Sequence, residues 1–232
     1  MHLNQGSGLI VVGGTGARFE GGWDASWSSL FPSTAAAWNA HLACDRNFAT
    51  WTPDPAGNER LPITCIDWYD AYAFCIWDVD RQDVPAFLPT SAEWNYAAAG
   101  GNEQRVYAWG NQPPGPDTML AIWGLYYGQA SGVPNVYEIA PVGTVPAGHG
   151  KWGQEDLTGS VFEWNLDSPG EANPCVDCVF ADGSGSDSGA AARVLRGGAY
   201  DSSQLKLPVS RVDSSLPGVG HANVGARCAR VP

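Results

Sequence analysis

Across residues 66–78 the chain reads IDWYDAYAFCIWD, and Ile66, Ala71, Phe74, Cys75 and Asp78 fall at helical rather than alternating spacing. The pattern predicts a helix capped by Asp67, with Cys75 turned towards the core. An earlier helix is predicted from a cap at Ser33 through roughly Cys44, STAAAWNAHLAC, before a loop rich in Pro, Asp, Gly and Asn over residues 52–60. A third helix carries the strongest local signal. Thr90-Ser-Ala-Glu93 is a capping box, Trp94, Ala97 and Ala98 supply the packing face, and Gly100-Gly101 ends the helix. From Arg105 onward the pattern changes to short β-type runs separated by Gly and Pro: RVYAWG (105–110), APVGTVPA (140–147), VFEWNLD (161–167), RVLRGGAY (193–200), PVSRVDSS (208–215) and NVGARCARV (223–231).

Helices first and strands later, without strand–helix–strand alternation, predict the α+β class. Residues 183–189, GSGSDSG, read as a flexible loop. Leu9-Ile-Val-Val12 followed by Gly13-Gly-Thr-Gly16 places glycines after a strand, as a dinucleotide-binding turn does. No amphipathic helix follows in ARFEGGW (17–23), so a strand with a glycine turn is expected there and no nucleotide site. With 232 residues, 44% hydrophobic, 16% charged and eleven Trp, the chain suffices for one domain with an aromatic-rich core.

Twelve basic against twenty-four acidic residues leave a net charge of −12, which repels phosphate backbones and anionic lipid. No nucleic-acid partner is expected, and the acidic surface suits calcium. No run of eighteen apolar residues exists, so no membrane span is expected. Six cysteines in a Gly- and Pro-rich chain favour an oxidising, extracytoplasmic compartment. The first residues, MHLNQG, lack the basic and apolar regions of a signal peptide, so an exported form is expected to have had its signal removed.

Seven segments then point to a family. ITCIDWYDAYAFCIW (63–77), LPTSAEWNYAAAGG (88–101), YAWGN (107–111), APVGT (140–144), DLTGSVFEWNLD (156–167), RVLRGGAY (193–200) and VGARCAR (224–230) occur in the order found in the formylglycine-generating-enzyme or sulfatase-modifying-factor family. The chain resembles that family over residues 60–232. The resemblance implies an elaborated C-type-lectin-like domain with short helices, an antiparallel sheet and much irregular loop. Residues 1–60 are expected to be a reduced or divergent N-terminal part packed on the same single domain.

The resemblance also implies chemistry, position by position. Aerobic enzymes of the family carry a cysteine two residues after the GGxY motif and another five further on, which bind copper and handle oxygen and the substrate thiol. Here those positions are Ser202 and Leu207. A hydroxyl is a poor ligand for a soft metal and a hydrocarbon offers none. A second branch uses non-haem iron held partly by a separate helical domain, but His2, His41, His149 and His221 include no closely spaced pair. Neither copper nor iron is expected. Phe87 stands where the family commonly has Arg, Ser91 replaces an acid, and Ser160-Val-Phe162 replaces Asn-x-Trp.

The family's calcium site keeps a recognisable form, with Asp156 and Glu163 offering carboxylates and Gly159 and Val161 backbone carbonyls, for a structural ion. Cys75 and Cys228 match positions bridged in some relatives; elimination then leaves Cys44–Cys65 and Cys175–Cys178. Zinc at Cys175/Cys178 lacks a second pair of ligands, and a redox CxxC would open a helix rather than a loop. Lectin-like folds bind through irregular loops on the final β region. Tyr200, Asp201, Ser203, Gln204, Lys206, Asp213 and His221 are therefore candidates for contact with a protein or polar ligand, with Trp123, Tyr126 and Tyr127 possible neighbours. No GxSxG elbow supports a hydrolase. The expectation is a non-catalytic, exported binding or structural domain; the alternative is a metal-dependent oxidase of the same family using a different site.

Overall fold

The computed structural model describes residues 10–12, 18–19, 21–77, 86–115, 119–127, 139–170, 178–180 and 191–230. Helix α1 spans Ala35–His41. Its cap is Thr34 and not the expected Ser33, because Thr34 Oγ1 accepts the Ala37 amide hydrogen at 3.2 Å. The helix stops short of Cys44, which is bridged to Cys65.

Helix α2, Trp68–Trp77, begins with two carboxylates that cap each other's backbone. Asp67 Oδ1 accepts from the Asp70 amide at 2.9 Å and Asp70 Oδ2 from the Asp67 amide at 3.0 Å. The buried stripe is Trp68, Ala71, Tyr72 and Cys75, one face at i, i+3, i+4 and i+7. Phe74, expected on that face, lies one position off it and is 54% exposed, resting on Trp77 with ring centroids 5.7 Å apart. Asp78 lies outside the described residues. Helix α3, Ser91–Ala98, forms the expected Thr90–Glu93 capping box, buries Trp94 and Ala98, and is followed by Gly100 at φ +67°.

The central sheet has the order β7-β6-β4-β8, built from β4 (Phe162–Trp164), β6 (Arg193–Arg196), β7 (Asp213–Ser215) and β8 (Val224–Gly225). It is antiparallel across β7-β6-β4, and β8 joins β4 in parallel. Two small sheets flank it: β3 (Ala86–Phe87) with β9 (Ala229–Arg230), and β2 (Arg18–Phe19), β1 (Ile10–Val12) and β5 (Cys178–Phe180) in the order β2-β1-β5. Two expected strands do not form. RVYAWG is a turn closed by a Tyr107–Gly110 bridge. APVGTVPA contains a 3-10 turn at Pro146–Gly148, and its two prolines have no amide hydrogen to give a ladder. The glycine turn at 13–16 and the loop at 183–189 lie outside the described residues.

One aromatic core joins the helices to the sheet. Trp68 Nε1 donates to the Asn165 carbonyl at 2.9 Å, and Trp164 Nε1 to the Ile66 carbonyl at 3.1 Å. Trp27 and Leu42 belong to the same core as Trp68, Tyr72 and Trp164, so residues before position 60 pack on it. Cys75 and Cys228 are bridged across 153 positions, tying α2 to the stretch before β9. Cys178 is disulfide-bonded, and the Cys175–Cys178 pairing lies outside the described residues. Among the described residues, no helix is long and apolar enough to cross a membrane.

Candidate functional site

Strand β6 delivers the chain to Gly197 and Gly198, both in the left-handed region at φ +96° and +76°. A Cβ on Gly198 would stand 3.0 Å from Leu207 Cδ2 and 3.2 Å from the Lys206 carbonyl oxygen, so only glycine lets the loop fold back this closely. The next turn closes on itself. Ser202 Oγ accepts from the Ala199 amide at 2.9 Å, and the Ser202 amide donates to the Ala199 carbonyl at 2.9 Å. Leu207 is fully buried, packed with Tyr107, Ala121 and Trp123. Both positions therefore support the loop from inside.

The residues expected to face a ligand divide into two groups. Asp201, Ser203 and Gln204 are exposed; Lys206, Asp213 and His221 are half-buried. Several are already paired: Asp201 with Asn223 Nδ2 at 3.1 and 3.0 Å, Lys206 with Asp213, and His221 Nε2 with Ser215 Oγ at 2.6 Å. Tyr200, by contrast, is buried. It stacks on Phe48 at 5.5 Å and its hydroxyl donates to the Ala222 carbonyl at 3.3 Å, so the ring turns inward onto a partner distant in the chain. The 123–127 segment lies beside this loop, as Gly124 and Leu125 amides donate to the Ser202 and Tyr200 carbonyls at 3.1 and 2.8 Å. Tyr126 is exposed and Tyr127 half-buried, while Trp123 is buried with no acceptor for its indole N–H among the described residues.

Of the four residues expected to hold calcium, Asp156, Gly159 and Val161 lie on the segment leading into β4 and Glu163 within the strand. Asp156, at φ +58°, receives the Gly143 amide on Oδ2 at 2.7 Å, and burial pushes its carboxyl above the ordinary range. Gly159 and Val161 are buried. Glu163 is engaged by Arg227, whose Nε donates at 2.8 and 2.7 Å and Nη2 at 2.6 Å, and by Trp94 Nε1 at 2.6 Å. Burial disfavours the Arg227 charge, but the Glu163 carboxylate outweighs it and raises the guanidinium above its usual value. A cation at this turn would have to share Glu163 with that guanidinium.

Sequence reading missed a further cluster. His41, at the end of α1, places Nε2 2.7 Å from Asp70 Oδ2, and Asp67 completes a group whose ligand atoms lie within 4.8 Å of one another. Burial, then the neighbouring Asp70 carboxylate, push Asp67 up to about 6. The Asp67-x-x-Asp70 spacing was visible, but the histidine arrives from 29 positions away. Asp70 also lines an apolar groove of about 660 Å³ with Trp38, Trp51, Phe74 and Trp77.

A family model described as the sulfatase-modifying factor enzyme 1-like domain matches residues 12–232. The chain belongs to that family. The match begins well before residue 60, where the motifs legible in the sequence start, so the part holding Trp27 and Leu42 falls within the family domain. The formylglycine-generating enzyme of Streptomyces coelicolor is 37% identical over 186 residues, covering 76% of this chain and 54% of that protein. A Bos taurus protein named inactive C-alpha-formylglycine-generating enzyme 2 is 29% identical over 225 residues, covering 88% and 66%. Among solved structures, Treponema denticola variable protein 1 matches with a TM-score of 0.61 at 22% identity, covering 86% and 82%, a likeness of fold. The chain spans about half the length of the first curated relatives it matches.

In this member of the sulfatase-modifying-factor family, two side chains of the loop after Gly197-Gly198 are engaged in holding that loop together. Ser202 ties its own turn and Leu207 fills the space beneath it. A hydroxyl is a poor donor to a soft ion such as copper(I), which prefers sulfur, and a hydrocarbon side chain offers no donor atom.

Proposed function

We propose that this chain is a non-catalytic binding or structural domain on the sulfatase-modifying-factor scaffold, presenting its C-terminal loops to a protein or polar ligand outside the cytoplasm. The observation that carries the reading is the commitment of Ser202 and Leu207 to packing at the positions where the resemblance calls for metal-binding thiols. Asp201, Ser203 and Gln204 supply exposed acceptors and donors on a loop anchored by Tyr200 and Leu207, an arrangement of varied polar groups on a rigid base. A relative named as inactive is in keeping with it. The bridges Cys44–Cys65 and Cys75–Cys228 fit an oxidising compartment.

Calcium at Asp156, Gly159, Val161 and Glu163 is part of the proposal, in a structural role. Elemental analysis of the purified full chain with a free-thiol count tests the whole reading. The expected result is calcium, no copper or iron in stoichiometric amount, and no free thiol. About one copper or iron per chain, together with oxygen consumption on a thiol-containing peptide, would replace the reading with a metal-dependent oxidase.

A further inference from the structure

We propose that His41, Asp67 and Asp70 form a binding site for a divalent cation of the zinc class. The three residues come from two elements, the last turn of α1 and the first turn of α2, and each offers a ligand atom within 4.8 Å of the others. Helix capping explains only part of this convergence. Asp67 Oδ1 and Asp70 Oδ2 receive backbone amides, and His41 Nε2 meets Asp70 Oδ2. Asp70 Oδ1 has no hydrogen-bond partner among the described residues although the side chain is only 7% exposed. A buried carboxylate oxygen without a donor costs free energy that a cation removes.

The surroundings hold the donors in place. The Cys44–Cys65 bridge sits three residues beyond His41 and two before Asp67, so it fastens the end of α1 to the start of α2 on either side of the cluster. The Trp38 ring meets the His41 imidazole edge-on, with centroids 5.5 Å apart and planes at 85°, which fixes the ring's orientation. One imidazole nitrogen with carboxylate oxygens is a donor set for zinc and neighbouring divalent ions; it lacks the sulfur copper(I) prefers and the all-oxygen shell of calcium. Two carboxylates against one imidazole also leave negative charge for a divalent ion to neutralise. Three protein ligands leave a fourth position for water or another small donor. The proposal stands apart from the C-terminal loops and from the reading of their function.

The test is zinc titration of the metal-free full chain by calorimetry and thermal shift, with cobalt as a visible probe. One zinc per chain is expected, with a raised thermal midpoint. His41→Ala and Asp70→Asn should each weaken binding at least about tenfold, since each removes a direct ligand, while His149→Ala and His221→Ala leave it unchanged. Should either cluster variant lose its fold by circular dichroism, cobalt on the unaltered chain decides: visible d–d bands of a low-symmetry nitrogen and oxygen site at one equivalent support the proposal. No zinc uptake, binding insensitive to His41→Ala in folded protein, or a cobalt spectrum of the free aqueous ion overturns it.

Discussion

Arg227 grips the Glu163 carboxylate with Nε at 2.8 and 2.7 Å and Nη2 at 2.6 Å, linking the segment after β8 to the middle of the central sheet. Glu163 is buried and the Arg227 side chain 29% exposed, so removing the guanidinium strands a carboxylate largely out of water. Arg227→Ala should lower stability by roughly 2–4 kcal/mol in urea denaturation, somewhat below the range for a fully buried pair because the guanidinium reaches solvent. A loss under about 0.5 kcal/mol would mean that the buried carboxylate finds another donor once the guanidinium is gone.

The calcium proposed for this turn would compete with that guanidinium for Glu163. Millimolar calcium is expected to raise the thermal midpoint relative to chelator-treated protein, with about 2.7 kcal/mol gained when the ion is a hundredfold above its dissociation constant. Asp156→Asn, which removes one charge and keeps the fold of the turn, should weaken the effect about tenfold in calcium titration. Identical midpoints with chelator and with calcium would remove the ion from the account.

Asp67 gives the metal-free protein a pH dependence opposite to that of a salt-bridged acid. Its carboxyl rises from 3.8 to about 6 on folding, so the native state holds the proton more tightly than the unfolded chain. Stability from this group is therefore greatest below about pH 4, declines as pH rises to about 6, and stays low above it. The span is roughly 2–3 kcal/mol. Urea midpoints measured in chelator should show Asp67→Asn, which retains an acceptor for the helix cap, losing this decline and gaining stability at pH 8 relative to the parent.

Leu207 and Leu205 are two residues apart with opposite environments, fully buried and 78% exposed. Leu207→Ala should cost about 2–5 kcal/mol by chemical denaturation, through lost burial and the cavity left behind. Leu205→Ala should stay within about 0.5 kcal/mol. Equal effects would contradict the division of the loop into a support and a displayed edge.

The features legible in the sequence are those decided within a few residues. Thr90 and Glu93 cap α3 because the N-cap to N3 reach is fixed by helix geometry, and Asp67 caps α2 for the same reason. The Cys75–Cys228 bridge was reachable only through family resemblance. What escaped the sequence depends on partners brought together by folding: Glu163 meets Arg227 across 64 positions and His41 meets Asp70 across 29. Tyr200 was expected to face a ligand because lectin-like folds bind through the loops of the final β region, yet Phe48, far away in the chain, supplies the ring it stacks on as it is buried. Phe74 shows the converse, an apolar side chain at helical spacing with Cys75 that nevertheless stands on the open flank of α2.

The bridge from Cys75 to Cys228 encloses 153 positions of sequence, including the whole central sheet and the C-terminal loops. A protease that cuts once anywhere inside that span releases no fragment: the two pieces travel together on a non-reducing gel and separate only when a thiol is added. Loops carried within a covalent ring can thus be nicked while the molecule stays in one piece.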